Sequence, residues 1–314
     1  MITTDRFFHA DKATHSFFEG WYFKHQIGNQ VYAFIPGISI NEEGTKEVFI
    51  QVISQQGSHY FPFSINDFHV SESKRLIKIG PNQFSEKGIT LALKSKELSV
   101  QGTLVYGKLN QIKKNRYAPS IMGPFSYLSF MECYHGILSM GHNLNGTLFW
   151  NKQSINFRNG TGYIEKDWGS SFPSAYLWTQ CNQFVEPTVR LFFSAADIPF
   201  VSFSFLGVIC VVQHGEREYR FSTYDGVKAA PIVRKNGHLI IELIQKNLRL
   251  NLEVTTEVGH ALKAPSSGAM SRIIRENAST EISLTLFKDN ELVFKVKGQS
   301  AGFEEVGILK GFDY

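Results

Sequence analysis

The sequence predicts an all-β protein built from two related halves, on three observations. Aromatic residues are plentiful, with 27 Phe and 12 Tyr among 314 residues, and these types favour strands over helices. Short apolar or alternating runs recur along the whole chain, separated by Gly, Ser, Asn and Lys, the pattern of a meander that closes into a barrel or sandwich. Aligning Trp21 on Trp178 also brings Phe34 onto Leu191. This weak internal repeat puts the join near Gly160 and gives domains at residues 1–160 and 161–314.

In order along the chain, residues 17–24 open a hairpin, Ile27-Gly-Asn-Gln30 is its turn, and residues 31–35 return. Further β-like runs follow at 47–54, 59–63, 76–79, 89–93 and 98–106. A looser segment, 108–119, leads into 123–136, and a strand pair is expected at 142–150 and 154–159. The second half repeats the theme at 188–195, 200–213, 218–222, 232–234, 238–243, 248–255, 281–288 and 291–298. The most apolar run, 198–212, is shorter than a bilayer span and follows Asp197, so it reads as buried strand.

Bulk properties bound the function. Hydrophobic residues make up 43% and charged residues 19%, a globular composition. A net charge of +4 without a dense basic face gives nucleic-acid binding little support. The one local basic run, Lys108, Lys113, Lys114 and Arg116, reads either as a solvated loop or as a contact with an anionic membrane storing an apolar substrate. Cys133, Cys181 and Cys210 form no CxxC pair and no even framework, which points to a reducing compartment and away from structural zinc. The start, Met1-Ile-Thr-Thr-Asp-Arg-Phe-Phe-His9, lacks a basic n-region before an apolar core, so a cytoplasmic protein is expected.

Candidate chemistry concentrates between Gly162 and Phe184. As an extended segment, Tyr163, Glu165 and Asp167 face one way while Ile164, Lys166 and Trp168 face the other. Gly169 to Pro173 breaks the run, after which Trp178, Gln180 and Asn182 line one face of the next strand. If Glu165 and Asp167 point inward, desolvation and like charge leave one of them a neutral carboxylic acid, a usable proton donor. The alternative is a structural ion pair with Lys166 or an arginine. Glu19 is a third acid, on the Trp21 side of its strand. Glu132 and His135 imitate an E-x-x-H metal pair, with His142 as a third ligand, but on a strand they face opposite sides, so no metal is expected. No G-x-S-x-G, G-x-G-x-x-G or P-loop is present, leaving an aromatic pocket suited to a large apolar ligand beside a proton-transfer centre.

The stretches Phe18-Glu-Gly-Trp-Tyr-Phe-Lys24, Gly123-Pro-Phe125, Met131-Glu-Cys-Tyr-His-Gly136, Tyr163-Ile-Glu-Lys-Asp-Trp-Gly169, Ser171-Phe-Pro173 and Gln180-Cys-Asn182 together resemble the tocopherol cyclase family. The C-terminal third is a looser match. The resemblance implies two lipocalin-like β-barrel halves, a relation to carotenoid hydratases of the hydroxyneurosporene synthase type, and cofactor-independent chemistry: an alkene is protonated and a phenolic oxygen captures the tertiary cation. In these terms Glu165 or Asp167 is the acid, with Glu19 and Glu132 as alternates. Trp21, Trp168 and Trp178 would face the cation, Gln180 and Asn182 would hold quinol hydroxyls, and Tyr22, Tyr134 and His135 would complete the substrate contacts. Two other readings stay open: a lipocalin-like carrier of an apolar molecule, and an enzyme on this scaffold acting on another hydrophobic substrate.

Overall fold

The computed structural model describes residues 6–200 and 202–309. Residues 1–5, on which much of the N-terminal reading rests, lie outside the described residues, as does residue 201 within the expected strand 200–213. Strand takes up 65% of the described residues and helix 5%. Two antiparallel sheets of twelve and eleven strands carry the fold. Among the described residues, no helix is long and apolar enough to cross a membrane.

The first sheet comprises β1 (Phe17–Ile27), β2 (Gln30–Ile40), β3 (Lys46–Ser54), β4 (Gly57–Phe63), β5 (Phe68–Ser71), β6 (Leu76–Ile79), β7 (Asn82–Ser85), β8 (Gly88–Lys94), β9 (Ser99–Tyr106), β10 (Cys133–Trp150), β11 (Gln153–Asn156) and β12 (Gly160–Gly169). Its order is β4-β3-β2-β1-β12-β10-β9-β8-β7-β6-β5, with β11 pairing β10. The last long strand thus returns to pair with the first, as in a lipocalin. The expected hairpin is β1 and β2, turning at Gly28 with φ 54°.

The second sheet comprises β13 (Tyr176–Cys181), β14 (Val189–Phe200), β15 (Phe203–His214), β16 (Arg217–Ser222), β17 (Lys228–Ala229), β18 (Val233–Lys235), β19 (His238–Gln245), β20 (Leu248–Thr255), β21 (His260–Ser266), β22 (Ala269–Lys288) and β23 (Glu291–Val306). The main order, β16-β15-β14-β13-β23-β22-β20-β19-β17, repeats the plan of the first sheet: a four-strand meander whose opening strand pairs with the last one.

The chain divides into two compact units, residues 1–172 with 262–273, and residues 173–261 with 274–314. The passage falls after Phe172 rather than at the expected join near Gly160, because β12 is an inner strand of the first sheet, between β1 and β10. The excursion at 262–273 is tied to the first unit by reciprocal 2.9 Å hydrogen bonds between the Gln51 amide and the Lys263 backbone.

Each unit has its own core. Trp21, Phe23, Phe34, Phe84 and Ile164 anchor the first, and Leu177, Cys181, Leu191, Phe193 and Phe221 the second. Each such fully buried large side chain contributes roughly 1.5–3 kcal/mol. The cores correct the repeat. Phe23 pairs with Phe34, and Cys181 with Leu191, so Phe23 corresponds to Cys181. Trp178 is then one residue out of step with Trp21. In a strand a slip of one residue exchanges faces, and Trp178 does not join the second core.

Candidate active site

Strand β12 separates two polar centres by alternation alone. Phe23 pairs with Ile164, Trp21 with Lys166 and Glu19 with Trp168, all on the face that joins the first core. On the opposite face Tyr22 pairs with Glu165, and His135 of β10 pairs with Asp167. Gly169 ends the strand with φ 148°, and a Cβ there would lie 2.1 Å from the Glu132 carbonyl oxygen. Only glycine fits this turn, which sets the register that brings Cys133 opposite Gly169 and His135 opposite Asp167.

The core-facing centre is an ion pair. Lys166 Nζ lies 2.5 Å from Glu19 Oε1 and donates to the Phe7 carbonyl at 2.7 Å. The amides of His9 and Ala10 donate to Glu19 Oε2 at 2.8 Å. Burial alone would raise the Glu19 carboxyl, but Lys166 and His9 outweigh it and hold it below the usual carboxylate range. Glu19 is therefore an ionised acceptor, not the alternate acid expected from sequence. The ammonium also sits 4.8 Å from the Trp168 ring centre and 5.1 Å from that of Trp21. Those two rings face a resident cation and stand on the opposite side of β12 from Glu165 and Asp167. Tyr134 belongs with them, stacked 5.4 Å from Trp168 and donating its hydroxyl to the Leu128 carbonyl at 2.6 Å. A cavity of about 50 Å³ reaches Lys166 and Trp168; it has room for water, not for an isoprenoid chain.

The second centre is a histidine between two carboxylates. His135 Nδ1 donates to Asp167 Oδ1 at 2.6 Å, and Nε2 stands 3.6 Å from Glu165 Oε2. The Tyr163 hydroxyl donates to the same Glu165 oxygen at 2.6 Å. Glu165 is 5% exposed and Tyr163 fully buried. Burial would lower the His135 pKa, but Asp167 and then Glu165 overcome it, and the imidazole is raised above its ordinary value. Burial, with help from Glu165, keeps the Tyr163 phenol protonated. The arrangement stores a proton within reach of two carboxylates.

The ligating atoms of His135, Glu165 and Asp167 lie within 4.8 Å of one another, and one imidazole with two carboxylates is a donor set that suits a divalent ion. The sequence reading expects no metal and does not bring these three together. As placed, each ring nitrogen faces its own carboxylate, so a cation would have to replace the 2.6 Å His135–Asp167 hydrogen bond.

Other expected site residues fall elsewhere. Glu132 has an exposed side chain, and its carbonyl accepts from the Ser170 amide at 2.8 Å. It holds the turn after β12 rather than serving as an acid. His142 lies past two register shifts in β10, near the Ser139 hydroxyl and Tyr106, and not with Glu132. In the second unit Trp178 and Gln180 are buried on the β13 face opposite Leu177 and Cys181, with Asn182 just beyond the strand. Trp178 lies over Gly302, where a Cβ would come within 2.7 Å of its ring. Beside it Tyr176 donates to Glu304 at 2.6 Å, and Glu304 pairs across strands with the buried Glu276. Sequence reasoning missed these two acids, His9 and the central place of His135. Only the His135–Asp167 contact had a signal, since both stand in motifs already singled out.

Two lipocalin-like antiparallel sheets, the first holding a histidine between two carboxylates, define the class of fold and site. Comparison with known proteins narrows the class. The family model described as "Tocopherol cyclase-like" matches residues 94–308, and the chain belongs to that family. A probable chloroplastic tocopherol cyclase from Oryza sativa subsp. japonica is 28% identical over 174 residues, 52% of this chain and 35% of the rice protein. The match thus spans about a third of that relative. Among solved structures, CghA with Sch210972 superposes with a TM-score of 0.60 at 11% identity, covering 93% of this chain and 88% of CghA. A putative AttH from Nitrosomonas europaea gives 0.57 at 11% identity and covers 93% of both chains. At such identity the structural likeness bears on fold alone.

Proposed function

We propose that the protein is a cofactor-independent cyclase or hydratase acting on a prenylated quinol or related isoprenoid alkene. The observation that carries this reading is the His135 imidazole held between Asp167 and Glu165, raised in pKa by both. Glu165 or Asp167 delivers the proton to the less substituted alkene carbon, with His135 as its reservoir. The tertiary carbon becomes cationic, the phenolic oxygen bonds to it, and the phenolic proton returns to the carboxylate. The reaction is an isomerisation, so nothing is oxidised or reduced. Hydration follows the same path with water as the nucleophile. General acid catalysis of this kind contributes roughly 10²–10⁴-fold. Tyr22 shares the face of the acids and is the proposed substrate contact beside them, whereas Trp21, Trp168 and Tyr134 serve the core-facing ion pair.

The test is incubation with a prenylated quinol, followed by analysis for the ring-closed chromanol. Glu165→Gln or Asp167→Asn is expected to cut turnover at least a hundredfold while leaving the melting temperature within a few degrees. Full turnover in both variants would remove the acid assignment. The partners of each acid, Tyr163 on Glu165 and His135 on Asp167, also suit a carrier in which these groups are structural. Recovery of a bound apolar molecule without conversion of any prenyl quinol would favour that second reading.

A further inference from the structure

We propose that the loop between β9 and β10 is a docking surface for an anionic bilayer. From Gly107 to Glu132 the loop has four cations, Lys108, Lys113, Lys114 and Arg116, and a single acid, Glu132 at its end. All four side chains are exposed. Three aromatic residues of the same loop are exposed with them: Tyr117 at 54%, Tyr127 at 47% and Phe130 at 54%. These were absent from the sequence reading, which saw only the basic run. Large aromatics at this exposure cost free energy in water unless something covers them.

The loop is built, not loose. Its backbone pairs with β10 through Asn110 and Met140 at 2.7 Å, and the Asn115 side chain closes a turn on the Ala118 amide at 2.7 Å. Ser120 and Ser126 bond at 2.6 Å, while Ile112, Ala118, Ile121 and Met122 are buried beneath. The Tyr127 hydroxyl donates to the Arg116 carbonyl at 2.5 Å, which fastens the aromatic turn to the basic run so that both belong to one face.

Chemistry selects the occupant. Tyrosine and phenylalanine beside lysine and arginine match the headgroup layer, where rings sit at the interface and cations meet anionic lipid. A second copy of the chain would set four cations against four, which opposes pairing. As a delivery surface for the substrate the proposal rests on the apolar-substrate reading, but vesicle binding involves no turnover, so the two fail separately.

The test is cosedimentation with vesicles of phosphatidylcholine alone and of phosphatidylcholine mixed with phosphatidylglycerol. The wild type should bind the mixed vesicles, lose binding at high salt, and bind the neutral ones far more weakly. Each cation is worth about fivefold near such a surface, so Lys113→Gln with Lys114→Gln should weaken binding roughly 25-fold. Tyr117→Ser with Phe130→Ser should weaken it independently of salt. All four changes lie on exposed side chains, and turnover of detergent-dispersed quinol should be unaltered. Equal affinity for both vesicle types, unchanged binding of the variants, or binding to single-stranded RNA without vesicle binding would each overturn the proposal.

Discussion

Lys166 and Asp167 are sequence neighbours with opposite assignments, one fixed in an ion pair and the other in a proton centre. The acid pair was legible, since a strand must send Glu165 and Asp167 to one side. The partner of Lys166 was not, because Glu19 and His9 reach it only through folding. Removing one member of a buried pair leaves an uncompensated charge, so Glu19→Gln should cost about 3–5 kcal/mol in urea unfolding. Adding Lys166→Met should return most of that loss, and a double variant no more stable than the single one would argue against a coupled pair. A second buried cluster sets the acid response. His25 Nδ1 donates to the Tyr32 carbonyl at 3.1 Å while Nε2 accepts from Tyr106 at 2.5 Å. Burial lowers both His25 and His142 from 6.5 to about 3. Below pH 6.5 the unfolded chain therefore takes up two protons that the native protein refuses. Their contribution is complete above that pH and is lost as pH falls toward 3, at up to about 2.7 kcal/mol per pH unit for the two together. His135 has the opposite sign: raised in the fold, it stabilises at low pH and loses that contribution as pH rises through its folded value. His142→Gln should remove up to about 1.4 kcal/mol per pH unit from the acid slope of unfolding stability, and an unchanged slope would contradict the assignment.

At the scale of elements, β12 was readable because its alternation is strict and Gly169 terminates it. Strand β7 escaped because Asn-Gln-Phe-Ser offers one apolar residue, whereas the equally short β6, Leu-Ile-Lys-Ile, offers three and was legible. The first half of β22 escaped for another reason: buried Glu276, Asn277 and Thr280 interrupt the apolar periodicity that marks a strand. Trp178 misled the repeat because matching a large residue ignores which face it occupies. Gly169→Ala should test the turn, since its φ of 148° and the 2.1 Å approach to the Glu132 carbonyl leave no room for Cβ. A loss of about 1–3 kcal/mol is expected, together with reduced turnover as His135 slips against Asp167. A variant as stable and as active as the wild type would show that the turn does not hold the site.

At the scale of the whole molecule, the two sheets share a strand order although their residues diverge. The first half carries ionisable groups on both faces of β12, whereas the second fills its core with leucine, valine and phenylalanine. Composition and motif order were enough for the all-β plan. They could not show that Glu19 and Glu165 serve different centres, since face depends on register across three strands. The most direct test of the proton centre is ring closure of a prenylated quinol in deuterium oxide, followed by mass analysis of the chromanol for wild type, Glu165→Gln, Asp167→Asn and His135→Asn. One deuterium in the wild-type product, with turnover lost in all three variants, is the predicted result. Product formed by the three variants at the wild-type rate would contradict it.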